Sequence, residues 1–124
     1  MFDPSRFALN LKPPYYAVIF TSLRTPGDNG YGAMAEKMGK LAAAQPGYLG
    51  FEAVRHPDGH GVTLSYWETP EAIRNWKDQS EHLVAQEYGI ENWYEHYEVR
   101  VARVERAYSG PTNSRHPTSW DVQG

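Results

Sequence analysis

A single α+β domain of four strands and two helices, in the order β-α-β-β-α-β, is the fold the sequence predicts. Three observations carry it. Runs rich in β-branched and aromatic residues, each of strand length, stand at 15–23, 48–55, 62–68 and 97–108. Stretches with apolar residues at helical spacing separate the first run from the second and the third from the fourth. The middle two runs are joined by a short Pro-Asp-Gly turn that leaves no room for a helix. At 124 residues the chain fits one domain. A chain of that size buries about two-thirds of its unfolded surface, enough for one core.

The first strand is Tyr15 to Leu23, closed by the turn residues Thr25-Pro26-Gly27-Asp28. Asp28 or Asn29 then caps a helix carrying Tyr31, Met34, Met38 and Leu41, which stops at Pro46-Gly47. Glycines at 30, 32 and 39 lower its intrinsic propensity, so packing has to hold it. Tyr48–Arg55 and Val62–Glu68 are the second and third strands, with the Asp58-Gly59 signal of a tight hairpin between them. Thr69-Pro70-Glu71 opens the second helix with a hydroxyl cap, a proline at the first helical position and an acid in the first turn. Ile73, Trp76, Ser80, Leu83, Val84 and Glu87 share one side of it. Gly89 marks its stop, and residues 91–95 add a short helical turn. The last strand is Tyr97 to Tyr108, with a bulge expected where its apolar phase shifts between Val101 and Val104. Along it Glu95, Glu98 and Glu105 alternate with Arg100, Arg103 and Arg106, a pattern of cross-strand pairing or of rim charge. The order is that of the ferredoxin-like split β-α-β, a four-stranded antiparallel sheet with both helices on one face. Residues 1–13 are an N-terminal extension, 14–108 the domain, and 109–124 a C-terminal tail of loop composition with a lone Trp120.

Composition excludes several classes of function. Cysteine is absent, which removes disulfides, thiolate nucleophiles and thiolate metal sites. The net charge is −3 with no basic block, so no nucleic-acid partner is expected. No apolar run approaches the roughly 20 residues that span a bilayer, and Met1–Arg6 lacks the basic start and apolar stretch of a secretion signal. A cytoplasmic protein without membrane contact is expected. Aromatic residues reach 14% of the chain, nine Tyr and four Trp among them, while mean hydropathy is only −0.67. Residues with an apolar body and one polar handle suit interfaces and pocket walls.

The first strand is apolar on both sides: Tyr15, Ala17, Ile19 and Leu23 alternate with Tyr16, Val18 and Phe20. Helices shelter one side of such a sheet. Leaving three or four large apolar groups wet on the other would forfeit about 5–10 kcal/mol, comparable to a domain's whole stability. A homodimer packed through its sheets is therefore expected, with folding of the N-terminal extension over that face as the alternative.

The segments Pro46-Gly47-Tyr48-Leu49-Gly50-Phe51-Glu52 and Ser65-Tyr66-Trp67-Glu68-Thr69-Pro70-Glu71-Ala72-Ile73, followed by Trp76-Lys77, resemble the antibiotic biosynthesis monooxygenase (ABM) family over roughly residues 14–108. The resemblance implies a dimeric α+β barrel, with two sheets back to back and a cleft between each sheet and its helices. It also implies a range of activities. Some members oxidise phenolic, anthrone or quinol-like aromatics with dioxygen and no cofactor; others bind or degrade haem. In the haem-degrading branch that this chain resembles at Trp76, the axial His falls at the position of Gln86, and a first-strand Asn near Thr21 or Ser22. Both are replaced here, which speaks against that route.

Cofactor-free oxygenation needs a base tuned near neutrality, donors for a developing oxyanion and a dry pocket. Histidine is the natural base. On the second helix Asn75, Gln79, His82 and Gln86 share a stripe opposite Ile73 and Val84, either a solvated face or a pocket wall. His82, Trp76 and Gln86 are the candidate catalytic residues. Tyr66, Trp67, Trp93 and Tyr94 are candidates for binding substrate, with one of Tyr66 and Trp67 facing the helices and the other the dimer seam. His56 and His60 flank a turn without a third ligand at a recognisable spacing, so no metal site is expected. A homodimer acting on a small aromatic molecule, without a cofactor, is the leading reading. A non-catalytic dimer that binds haem or a quinone is the alternative.

Overall fold

A computed structural model of the protein describes residues 2–87 and 93–111, the side chains of 85–87 excepted. A 3-10 turn (Pro4–Arg6) precedes β1 (Tyr15–Arg24), α1 (Tyr31–Ala43), β2 (Tyr48–Arg55), β3 (His60–Trp67), α2 (Pro70–Glu87) and β4 (Tyr94–Val104). The strands form one antiparallel sheet in the order β2-β3-β1-β4, the ferredoxin-like arrangement. Gly89, residues 91–92 of the helical turn expected over 91–95, and Trp120 lie outside the described residues. Within them Trp93 is a turn residue, and Tyr94 and Glu95 already belong to β4.

Both helix starts follow from local chemistry. Thr69 Oγ1 accepts the Ala72 N–H at 3.0 Å, with Pro70 and Glu71 in the first turn of α2. At α1 the capping position is Gly30, in the left-handed region, and not Asp28 or Asn29. Asp28 still supplies the cap from upstream: its carboxylate accepts the N–H groups of Gly30 and Gly32 at 3.0 and 3.1 Å. Between β2 and β3, His56 and His60 close the hairpin through His56 N–H to His60 O at 2.8 Å. Gly59 takes the one positive φ of that turn, +99°.

The core sits between β3 and the starts of the helices. Trp67 is fully buried among Ala42, Ala72 and Ile73, with Tyr16, Val18, Tyr48 and Trp76 packed around it. Gly47 makes this approach possible. Its φ is +85°, and a Cβ there would stand 2.7 Å from the Ala72 methyl. Glycine alone meets both demands. The Gly47 carbonyl meanwhile accepts the Glu68 N–H at 2.8 Å, tying the head of β2 to the end of β3.

The bulge in β4 lies at the other end from the one expected. Pairing with β1 is continuous from Tyr15↔Val104 to Leu23↔His96 and slips only between Leu23 and Arg24, where Glu95 is the extra residue. The phase change near Val101 has another cause. Val99 and Val101 stand on the helix side opposite Phe20 and Val18, whereas Ala102 and Val104 stand on the outer side opposite Ala17 and Tyr15. Both faces of the sheet are apolar there, and the pleat is unbroken.

On the outer face the N-terminal extension supplies part of the shelter. The Ala8 N–H donates to Glu52 Oε2 at 2.9 Å, and Ala8 lies against Gly50. The Tyr66 hydroxyl donates to Glu52 Oε1 at 2.7 Å, and Tyr15 meets the Tyr66 ring edge-on at 5.7 Å. Tyr15 and Ala17 are thus buried within one chain, while Ile19, Leu23, Val62 and Leu64 are half-buried and Val54 is 64% exposed. The extension covers one end of the face and leaves the other open.

Two consequences are measurable. Trp67→Ala leaves a large void and is expected to lower unfolding free energy by about 3–5 kcal/mol, read as a urea midpoint shift at unchanged slope. Burial first, then the Glu52 carboxylate, holds the Tyr66 hydroxyl above the ordinary phenol range, and burial likewise raises Tyr15 and Tyr48. Raised folded-state values mean stabilisation that is complete below about pH 10 and fades as pH climbs through them. The thermal midpoint is therefore expected to drop above about pH 10, and Tyr66→Phe to flatten that drop; parallel curves for the two proteins would contradict it.

Candidate active site

The helix side of the sheet carries two aromatic groups at opposite ends of β1, which covers about 26 Å from Tyr16 to Arg24. At the Tyr16 end Trp67 stacks on Trp76 of α2, centroids 5.9 Å apart and planes 23° off parallel, and meets Tyr48 edge-on at 5.5 Å. The Trp67 Nε1–H donates to Ser65 Oγ at 2.9 Å, which satisfies its only polar atom. These rings form the back wall of the core.

At the Arg24 end Phe20, Tyr31, Tyr94 and Tyr97 come together. Phe20 stacks on Tyr97 at 5.3 Å and meets Tyr94 edge-on at 5.2 Å, and Tyr94 meets Tyr31 edge-on at 5.8 Å. The Glu95 bulge places Tyr94 here, two residues before His96 yet opposite the residue that follows Leu23. The Tyr94 and Tyr31 hydroxyls stand 3.4 Å apart. Burial first, then the Tyr31 hydroxyl, pushes the Tyr94 phenol well above its ordinary range, against the opposing pull of Arg55 and Arg24. At neutral pH Tyr94 is therefore protonated and able to donate.

Two arginines frame this end. The Arg24 guanidinium lies 3.5 Å from the centre of the Tyr31 ring. Its Nε–H donates to the Trp93 carbonyl at 2.9 Å, and its second nitrogen donates to the Gly27 and Asp28 carbonyls at 3.1 and 3.3 Å. Arg55 donates to the buried Ser22 hydroxyl at 3.0 Å and to the Gly59 carbonyl.

Between the two groups the sheet offers an apolar floor. Val18, Phe20, Val99 and Val101 stand side by side, with Thr63 and Ser65 of β3 beside them. Val99 and Val101 are 51% and 57% exposed on the side that carries the helices, and Tyr97 is 40% exposed. The floor is open along β4.

The residues singled out from sequence divide among these places. Trp67 and Trp76 meet in one stack, and Tyr94 lies at the far end of the floor. Tyr66 occupies the opposite face, bound to Glu52. Trp93 is buried, its Nε1–H donating to the Asn29 carbonyl at 3.0 Å, so it anchors the lead into β4. His82 is exposed, as are Asn75 and Gln79 of its stripe. It follows Trp76 by six residues, about 240° further round α2. The Gln86 side chain lies outside the described residues. Sequence reasoning missed Phe20, Tyr31, Val99 and Val101, and no local pattern links them: strand pairing joins Phe20 and Val18 to Val99 and Val101, and packing of the head of α1 brings in Tyr31. Among the described residues no group of three or more His, Asp or Glu side chains is placed to hold a metal ion. No described helix is long and apolar enough to cross a membrane.

Known proteins share the fold. The family model for antibiotic biosynthesis monooxygenases matches residues 14–88. The uncharacterized protein YqjZ of Bacillus subtilis (strain 168) is 55% identical over 95 residues, 77% of this chain and 83% of that one. A mutant of SnoaB, a cofactor-independent oxygenase from Streptomyces nogalater, superposes with a TM-score of 0.64 at 11% identity, over 77% of this chain and 97% of that one. A conserved protein from Methanosarcina mazei Go1 gives 0.62 at 8% identity, over 73% and 92%. At such identities the solved structures speak to the fold alone, whereas the family model spans more than half of the sequence. The chain belongs to the antibiotic biosynthesis monooxygenase family.

Proposed function

We propose that the protein is a cofactor-independent monooxygenase that oxidises a small phenolic, anthrone or quinol-like substrate with dioxygen. The observation that carries this reading is the open apolar floor of Val18, Phe20, Val99 and Val101, closed at one end by stacked Trp67 and Trp76 and at the other by Tyr94, Tyr31 and Tyr97. A flat aromatic molecule matches such a surface in shape and polarity. The cofactor-independent oxygenase SnoaB shares the fold, which is compatible with the chemistry.

For an anthrone the balance needs nothing beyond the two reactants. The substrate loses a C–H proton, and the resulting anion passes one electron to dioxygen. The radical pair recombines as a peroxide at that carbon. Loss of water then leaves a carbonyl, so one oxygen atom enters the product and the other leaves as water. The protein's task is to hold the ring, exclude water and stabilise the oxyanion. The hydroxyl pair in which protonated Tyr94 donates to Tyr31 is the donor best placed at that end of the floor for that charge. His82 is exposed on α2, about 240° round the helix from Trp76, so the proton lost by the substrate passes to solvent.

The second reading, a non-catalytic dimer that sequesters haem or a quinone, is favoured by the same exposure of His82, which leaves no histidine base at the floor among the described residues. A dimer packed through the outer faces belongs to both readings, and the half-buried Ile19, Leu23, Val62 and Leu64 with exposed Val54 support it.

Oxygen uptake over a panel of anthrones and hydroquinones tests the proposal. Wild type is expected to consume oxygen. Tyr94→Phe is expected to lose about tenfold in kcat/KM, the worth of one hydrogen bond of ~1.4 kcal/mol, and His82→Ala to stay within about threefold. Binding of the same compounds with no uptake by wild type would replace the enzyme with the binder.

A further inference from the structure

We infer that Arg55 makes the far end of the floor a carboxylate subsite, so that the molecule held there is a flat aromatic with a carboxylate on its ring edge. The inference rests on the reading of the floor as the ligand site and adds to it the charge of the ligand.

Strand register sets four residues in one row across the helix side of the sheet. Arg55 of β2 stands opposite Gly61 of β3, Gly61 opposite Ser22 of β1, and Ser22 opposite Tyr97 of β4. The rows before it on β3, β1 and β4 are Ser65-Val18-Val101 and Thr63-Phe20-Val99. The apolar floor thus gives way to a cation, a residue without a side chain, a hydroxyl and a phenol. The step from the Phe20 row is two residues, about 7 Å along the strands. A carboxylate on a ring seated over Phe20 and Val99 covers that reach.

The row is built to hold the guanidinium. A Cβ on residue 61 would stand 2.8 Å from Arg55 Cζ and 2.9 Å from its Nη1, so glycine there lets the side chain lie flat across β3. Its head reaches β1, where Nη2 donates to Ser22 Oγ at 3.0 Å, while Nη1 donates to the Gly59 carbonyl. Ser22 is only 3% exposed, so a buried hydroxyl pins the group. These bonds take one N–H from each of two nitrogens and leave the other donors open.

No carboxylate pairs with Arg55 among the described residues. The acids of the neighbouring turns are committed elsewhere: Asp28 to the N–H groups of Gly30 and Gly32, Asp58 to the His60 N–H and the His56 ring. A half-buried guanidinium fixed by neutral acceptors keeps its charge for a ligand, and its fork matches a carboxylate. Tyr94 stands within its field: burial and Tyr31 raise that phenol, and Arg55 leads the opposing pull. Arg24 brings a second positive charge to the same end, bound to carbonyls and to the Tyr31 ring.

Two probes of the same shape test the inference: anthraquinone-2-carboxylate and the neutral anthraquinone-2-carboxamide, titrated by quenching of protein fluorescence. Both are already quinones, so binding is read without turnover. Wild type is expected to bind the carboxylate about tenfold tighter than the carboxamide. Arg55→Met is expected to bring that ratio close to one. Arg55→Lys, a point charge without the fork, is expected to give an intermediate ratio. Ser22→Ala, which unpins the guanidinium, is expected to lower it about threefold. Equal affinities in wild type, binding of neither probe, or an Arg55→Met protein that weakens both probes at an undiminished ratio overturns the inference. The wild-type ratio decides the matter without any variant. Oxygen uptake on neutral anthrones beside equal binding of the two probes would keep the oxygenase and remove the subsite. A preference for the carboxylate with no uptake on any compound would keep the subsite and remove the oxygenase.

Discussion

The contact on which the rest of the structure depends is the approach of α2 to the head of β2, where Gly47 meets Ala72. No side chain fits between them, and the backbone of Gly47 takes a conformation that other residues adopt only at a cost. That contact sets the first turn of α2 over the end of β3. It thereby drops Ile73 onto Trp67 and lays Trp76 along the Trp67 ring. The helix is then fixed from its N-terminal end, and the floor between α2 and β4 stays open because, among the described residues, nothing of comparable bulk fills the β4 side.

Much of this was legible in the sequence where the signal was local. The Thr69-Pro70-Glu71 start, the Pro46-Gly47 stop, the Asp58-Gly59 turn and the four apolar runs each rest on a few neighbouring residues, and each corresponds to an element of the structure. What escaped was decided by pairing. The apolar phase of β4 reads as a bulge near Val101 because one strand cannot reveal that both faces of β1 are apolar opposite it. The Glu95 bulge shows only in the register with Arg24. Sequence likewise identified the polar stripe of α2 without telling a solvated face from a pocket wall. Asn75, Gln79 and His82 face outward because Ala72, Ile73 and Trp76 claim the inner side.

The outer face shows two solutions to one problem sharing the same surface. Glu52 accepts from both Tyr66 and the backbone of Ala8, so a single carboxylate seats the extension on β2 and orders the tyrosine beneath it. Tyr15 and Ala17 are covered without a partner, and the half of the face near Val54 and Leu64 is not. The extension therefore reduces the area a second subunit would need to shelter and confines it to one end of the sheet.

Arg24 gathers three separate parts of the chain: the turn after β1 through Gly27 and Asp28, the head of α1 through the Tyr31 ring, and the lead into β4 through Trp93. Tyr94 is thus held from the β1 side, and Thr25 adds a second backbone tie to the same Trp93 carbonyl at 2.9 Å. Loss of the one guanidinium would therefore release the turn after β1, the head of α1 and the lead into β4 together, and with them the shape of the aromatic end wall.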